Sequence, residues 1–97
     1  MRDEGRAARL KRLRIRSWRR GTKEMDMILG PFADGCLETL APSEVDAYDA
    51  LLLENDPDLY QWYCERSPAP DRHGNILETI RRFHSRSHGS QDGAVRA

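Results

Sequence analysis

Breaks at Gly21, Pro42 and Pro57, and the loop Ser67-Pro68-Ala69-Pro70-Asp71, cut this 97-residue chain into short segments with helical rather than alternating periodicity. Proline fixes φ and donates no amide proton, so it belongs in a first turn or a loop, and glycine opens positive φ just beyond a helix end. No stretch of useful length alternates apolar and polar residues as a half-buried strand would. The expected fold is all-α, a small five-helix bundle.

The segments read as follows. Good helix formers run from Arg6 to about Arg19, with Leu10, Leu13, Ile15 and Trp18 on no single stripe, so this helix is expected to pack along one edge and stay largely wet. Gly21 suits the position after a helix, and Thr22 caps a second one with Glu24 and Asp26 at its positive dipole end. Met25, Ile28, Leu29, Phe32 and Cys36 form its apolar face, with a kink expected at Gly30-Pro31. Ser43 as N-cap, with Asp46 three residues on, starts a third helix that buries Val45, Tyr48, Leu51 and Leu52 and ends near Asn55. Asp56 as N-cap and Pro57 at N1 open a fourth, with Leu59, Trp62 and Tyr63 inward. A fifth covers Asn75 to about His84 with Ile76, Leu77, Ile80 and Phe83 inward, Gly74 arguing against an earlier start. Residues 1–5 and 85–97 read as disordered ends of a single domain spanning 6–84.

Net charge is zero, yet residues 1–23 carry +8, residues 24–65 carry −11 with no Lys or Arg, and residues 66–97 carry +3. Such blocks either lie as solvated faces, pair inside the fold, or steer a partner of uneven charge. Cys36 and Cys64 lack any CxxC or CxxH neighbourhood and read as free thiols. No apolar run approaches the length needed to span a bilayer, and no signal-peptide core is present.

Few residues suggest chemistry. His84 and His88 have the four-residue spacing of helical metal ligands, but no Cys or carboxylate cluster joins them, and no metal is expected. His73 reads as a solvated loop residue. No nucleophile-base pair, phosphate-cradling loop or metalloprotease motif is present, so no catalytic residue is assigned. The run Arg9-Leu10-Lys11-Arg12-Leu13-Arg14-Ile15-Arg16 could grip phosphates, which gives a second reading as a nucleic-acid binder through residues 6–20.

The junction Arg19-Arg20-Gly21-Thr22-Lys23-Glu24-Met25-Asp26 can be a well-capped helix turn, or a corner where Gly21 admits another backbone beside Arg20 and Glu24. Arg20-Gly21-x-x-Glu24-x-Asp26 followed by Ile28-Leu29-x-x-Phe32 resembles the small assembly-factor family of succinate dehydrogenase, including its R-G-x-x-E signature. A second block, Leu52-Leu53-Glu54-x-Asp56-x-Asp58-Leu59-Tyr60-x-Trp62, is similar to the family's third-to-fourth-helix segment, and the likeness covers roughly residues 9–84. The resemblance implies a five-helix, chaperone-like protein. Such a protein binds the succinate dehydrogenase flavoprotein subunit before the iron–sulfur subunit and promotes covalent FAD attachment, without being an enzyme.

On this resemblance Arg20, Gly21 and Glu24 carry partner binding, with Trp18, Arg19 and Asp26 adjoining them. FAD belongs to the partner, since no glycine-rich phosphate loop is present to hold it stably here. The implied protein is a monomer when free, with the fumarate reductase flavoprotein open as a second client and no membrane insertion. Asp3 and Glu4 fit poorly with an acid-poor presequence, so a bacterial-type cytoplasmic location is expected.

Overall fold

The computed structural model describes the backbone of residues 2–96 and the side chains of residues 5–86. Five helices follow one another: α1 Arg2–Ser17, α2 Lys23–Cys36, α3 Pro42–Leu52, α4 Asp56–Tyr63 and α5 Asp71–Arg96. A 3-10 turn, Leu37–Thr39, closes α2, and no strand occurs among the described residues. α1 packs on α2 and α3, while α5 lies against α2, α3 and α4. The all-α bundle read from the breaks is the fold observed. No described helix is long and apolar enough to cross a membrane.

The core follows the predicted faces with local shifts. In α1, Leu10 and Leu13 are buried and the same stripe continues to Ser17, which is fully buried, while Ile15 and Trp18 stay about 40% exposed. The Ser17 and Tyr48 hydroxyls share a hydrogen bond at 2.5 Å, with the Leu13 carbonyl 2.7 Å from Ser17 Oγ and the Leu29 carbonyl 3.4 Å from the Tyr48 hydroxyl as further acceptors. That pairing lets a serine and a tyrosine sit in the core without an orphaned polar atom. Burial pushes the Tyr48 hydroxyl up to about 12, against the pull of the Ser17 hydrogen bond and of Arg20 and Arg16. Phe32 meets Tyr48 at 5.4 Å and Phe83 edge-on at 5.8 Å, which ties α2 to α3 and α5.

α2 runs on as one helix through Gly30 and Pro31. The glycine has a packing reason: a Cβ there would lie 2.4 Å from two ring carbons of Trp18 and 2.6 Å from a third. The indole therefore rests flat on the α2 backbone, with its Nε1 donating to Asp34 at 3.1 Å.

Four helix starts differ from expectation, that of α1 lying at Arg2 rather than near Arg6. α3 begins at Pro42 rather than beyond Ser43, because proline at N1 gives up no bond; Glu44 at N3 reaches back to accept from the Ala41 amide at 2.7 Å. The Ser43–Asp46 box does not form, and Asp46 instead pairs with Arg9 at 2.8 Å. The N-cap of α4 is Asn55, whose side chain accepts from the Asp58 amide at 3.0 Å, so Asp56 sits at N1 with its carboxylate released from capping. α5 starts at Asp71, directly after Pro70.

That earlier start overturns the reading of His73. It is 1% exposed and joins Ile76, Leu77 and Ile80 on one face at i, i+3, i+4 and i+7. Its Nε2 donates to Glu54 at 2.9 Å and its ring lies 5.7 Å from that of Trp62. α1 and α5 also extend into the segments 1–5 and 85–97, where disordered ends are expected from composition; the side chains of 1–4 and 87–97 lie outside the described residues.

Candidate functional site

The charge blocks pair largely with one another. Arg9 and Arg16 from α1 converge on Asp49, at 3.0 and 3.2 Å. Arg14 reaches Asp34 and Glu38, and Arg6 donates to the Leu40 carbonyl at 3.0 Å. Burial would raise the Asp49 carboxyl, but the hydrogen bonds from Arg9 and Arg16 outweigh it and hold the group below the usual carboxylate range. The basic helix thus turns much of its charge onto the protein's own acids, which leaves the nucleic-acid reading without support. Among the basic residues between Gly5 and Gly21, only Lys11, Arg12 and Arg19 lack a side-chain hydrogen bond or ion pair.

The α1–α2 junction is built around Arg20. Its guanidinium donates from Nε to Asp56 at 2.8 Å, from Nη1 to the Leu52 carbonyl at 2.6 Å and from Nη2 to the Glu54 carbonyl at 2.6 Å. The Arg20 and Asp56 side chains are only 10% and 13% exposed. Three of the five guanidinium donors therefore satisfy one carboxylate and two carbonyls left over at the end of α3. Arg20 also donates its backbone amide to Asp26 at 2.8 Å, so the arginine is fixed by both main chain and side chain.

The two sequence blocks that carry the family resemblance are thereby one structure. The released Asp56 carboxylate, a product of Asn55 taking the cap, is what makes the pairing possible. Between the two clamped carbonyls stands Leu53, 78% exposed. Glu54 extends the connection, since its carboxylate also accepts from His73 Nε2 and from Arg72 at 3.1 Å, and these bonds hold it below the usual carboxylate range.

The remaining expected site residues lie around this clamp. Gly21 has φ +104 and open space where a Cβ would stand, so the backbone geometry demands glycine and leaves the corner accessible. Thr22 caps α2 by accepting from the Met25 amide at 3.3 Å. Glu24, Arg19 and Trp18 are exposed at the surface, whereas Asp26 is turned inward to Arg20. An open depression of about 300 Å³ lies beside the corner, lined by Thr22, Glu24, Met25, Asp56, Pro57 and Tyr60. Sequence reasoning missed Asp56, Leu53 and Tyr60 as site residues, although all three stand within the second resembling block.

The histidine spacing near the end of α5 does not form a metal centre with other described residues. His84 Nε2 lies 2.6 Å from the Ile28 carbonyl, to which it can only donate, and the side chain of His88 lies outside the described residues.

Comparison with known proteins gives a consistent result. A family profile described as flavinator of succinate dehydrogenase matches residues 11–84. The mitochondrial succinate dehydrogenase assembly factor 2 of Mycosarcoma maydis is 36% identical over 77 residues, covering 79% of this chain and 32% of the relative. The FAD assembly factor SdhE of Acetobacter pasteurianus is 33% identical over 69 residues, covering 71% of this chain and 63% of that protein. The SdhE of Vibrio cholerae is 46% identical over 44 residues, covering 45% of this chain and 51% of the relative. The chain thus spans between about a third and just under two thirds of the length of these relatives. No solved structure matches the chain significantly.

Proposed function

The chain belongs to the family of succinate dehydrogenase flavinators, and from that membership we propose that it is an assembly factor for the succinate dehydrogenase flavoprotein subunit. It binds that subunit before the iron–sulfur subunit does and promotes covalent FAD attachment. The observation that carries the reading is the Arg20 clamp, which makes one rigid surface of the α1–α2 corner and the α3–α4 turn. Gly21, Glu24 and Leu53 are the parts of that surface offered to the flavoprotein, with Trp18 and Arg19 beside them. Arg20 and Asp26 act behind it, holding its shape.

FAD belongs to the client in this account. The depression between the first turns of α2 and α4 is one place where helix N-termini could receive a pyrophosphate. That place carries Glu24 and Asp56, and Pro57 offers no amide proton, so the residues do not fit a dinucleotide phosphate. The protein supplies a binding surface and no catalytic residue, acts as a monomer when free, and works in the cytoplasm. The fumarate reductase flavoprotein stays open as a second client of the same surface.

Co-expression of the flavoprotein subunit with and without this chain tests the proposal. Flavin fluorescence of the denatured flavoprotein band is expected to rise strongly with the chain present, and the two proteins are expected to co-purify. Equal covalent flavin in both preparations, without co-purification, would refute it.

A further inference from the structure

The eleven Asp and Glu residues between positions 24 and 65 face no Lys or Arg within their own segment. Even so, all but one have found a partner. Asp26, Asp34, Glu44, Glu54 and Asp58 each accept a hydrogen bond, and Asp46, Asp49 and Asp56 pair with arginines of α1 and the corner. Glu38 and Glu65 lie within 4 Å of an arginine. Glu24 is the exception: its carboxylate has no hydrogen bond and no cation within ion-pair distance among the described residues, and only the α2 dipole offsets its charge.

This single uncompensated acid stands on the rim of the 300 Å³ depression, whose other walls include Met25, Pro57 and Tyr60. The second carboxylate there, Asp56, is already neutralised by Arg20. Tyr60 shows what its ring accepts, for the Arg66 guanidinium lies over it at 5.7 Å from the centroid. Arg66 is not among the residues that line the depression. The site therefore combines one open carboxylate, an aromatic ring and the apolar side chains of Met25 and Pro57. A lysine would use the charge alone, whereas a guanidinium can meet Glu24 with two donors and lie against the ring.

We infer that this depression is the seat for an arginine side chain of the flavoprotein, with Glu24 as its counter-ion and Tyr60 and Pro57 as its floor. The inference rests on the proposed function for its partner and adds the chemistry that the partner presents.

Titration of the flavoprotein subunit with the intact chain separates the two claims. Glu24→Gln is expected to weaken binding about tenfold, equivalent to one charge-assisted pair, and to flatten the salt dependence of Kd. Glu24→Lys is expected to weaken it further, and one flavoprotein Arg→Glu variant is expected to restore affinity to Glu24→Lys while losing affinity for the wild type. Thermal melts check that both variants remain folded. Wild-type binding with unchanged affinity and salt slope in Glu24→Gln would overturn the arginine seat and leave the proposed function standing. Absence of wild-type binding would overturn both. An effect of Glu24→Gln confined to self-association would assign the depression to a second copy and overturn the inference as well.

Discussion

Replacing Arg20 by alanine tests whether the arginine acts within the fold or at its surface. The change removes three donors at once, leaving the Asp56 carboxylate nearly buried without its cation and the Leu52 and Glu54 carbonyls without partners. Breaking a buried pair from one side costs about 3–5 kcal/mol, and the residual exposure of both partners places this one at the lower end, about 3 kcal/mol. Against a total stability of roughly 5–10 kcal/mol for a domain of this size, that is a large fraction. At about 4–8 °C per kcal/mol for a small domain, the melting midpoint should fall by roughly 12–24 °C. Circular dichroism melts and urea titration of the purified chain measure this directly. A double-mutant cycle with Asp56→Asn should return a coupling above about 1 kcal/mol, because the two side chains share one contact. If Arg20→Ala melted like the wild type and lost only flavoprotein binding, the clamp would be refuted and Arg20 would be a contact residue.

Three further outcomes are expected. Gly21→Ala should cost about 1–2 kcal/mol, because a Cβ at φ +104 is strained even in open space; Gly21→Arg should stay helical by circular dichroism and fail to retain the flavoprotein in a pull-down. Gly30→Ala should push the Trp18 indole off α2, seen as a red shift of its emission in a Trp62→Phe background, with a cost of about 1–3 kcal/mol, and unchanged emission would contradict the stacking. Asp49 sits below its ordinary range when folded, so its contribution is present above that range and disappears as pH falls through the folded value. Asp49→Asn should therefore be less stable than the wild type at pH 7, and the gap should close below about pH 4.

The number of helices and the buried face of α3 were legible because breakers and periodicity are local signals. All four expected core residues of α3 are buried. Helix starts were less legible, because Asn55 and Asp56 are both good caps and only the packed chain shows which is spent on the cap and which on Arg20. His73 could have been found, since its spacing to Ile76, Leu77 and Ile80 is helical, but Gly74 hid the continuation upstream. The clamp itself was not readable from local pattern. Its partners lie 32 to 36 residues away, and nothing in either segment records the distance between them. The resemblance supplied both blocks; the geometry supplied the bond between them.

That bond also sets an order of events. Residues 20–24 leave the ribosome before residues 52–56, but their shape depends on acceptors there. A nascent or partly unfolded chain would carry the whole motif and still lack the corner. The client would then meet a surface that exists only once α3 and α4 are in place, so that engagement itself certifies a finished helper.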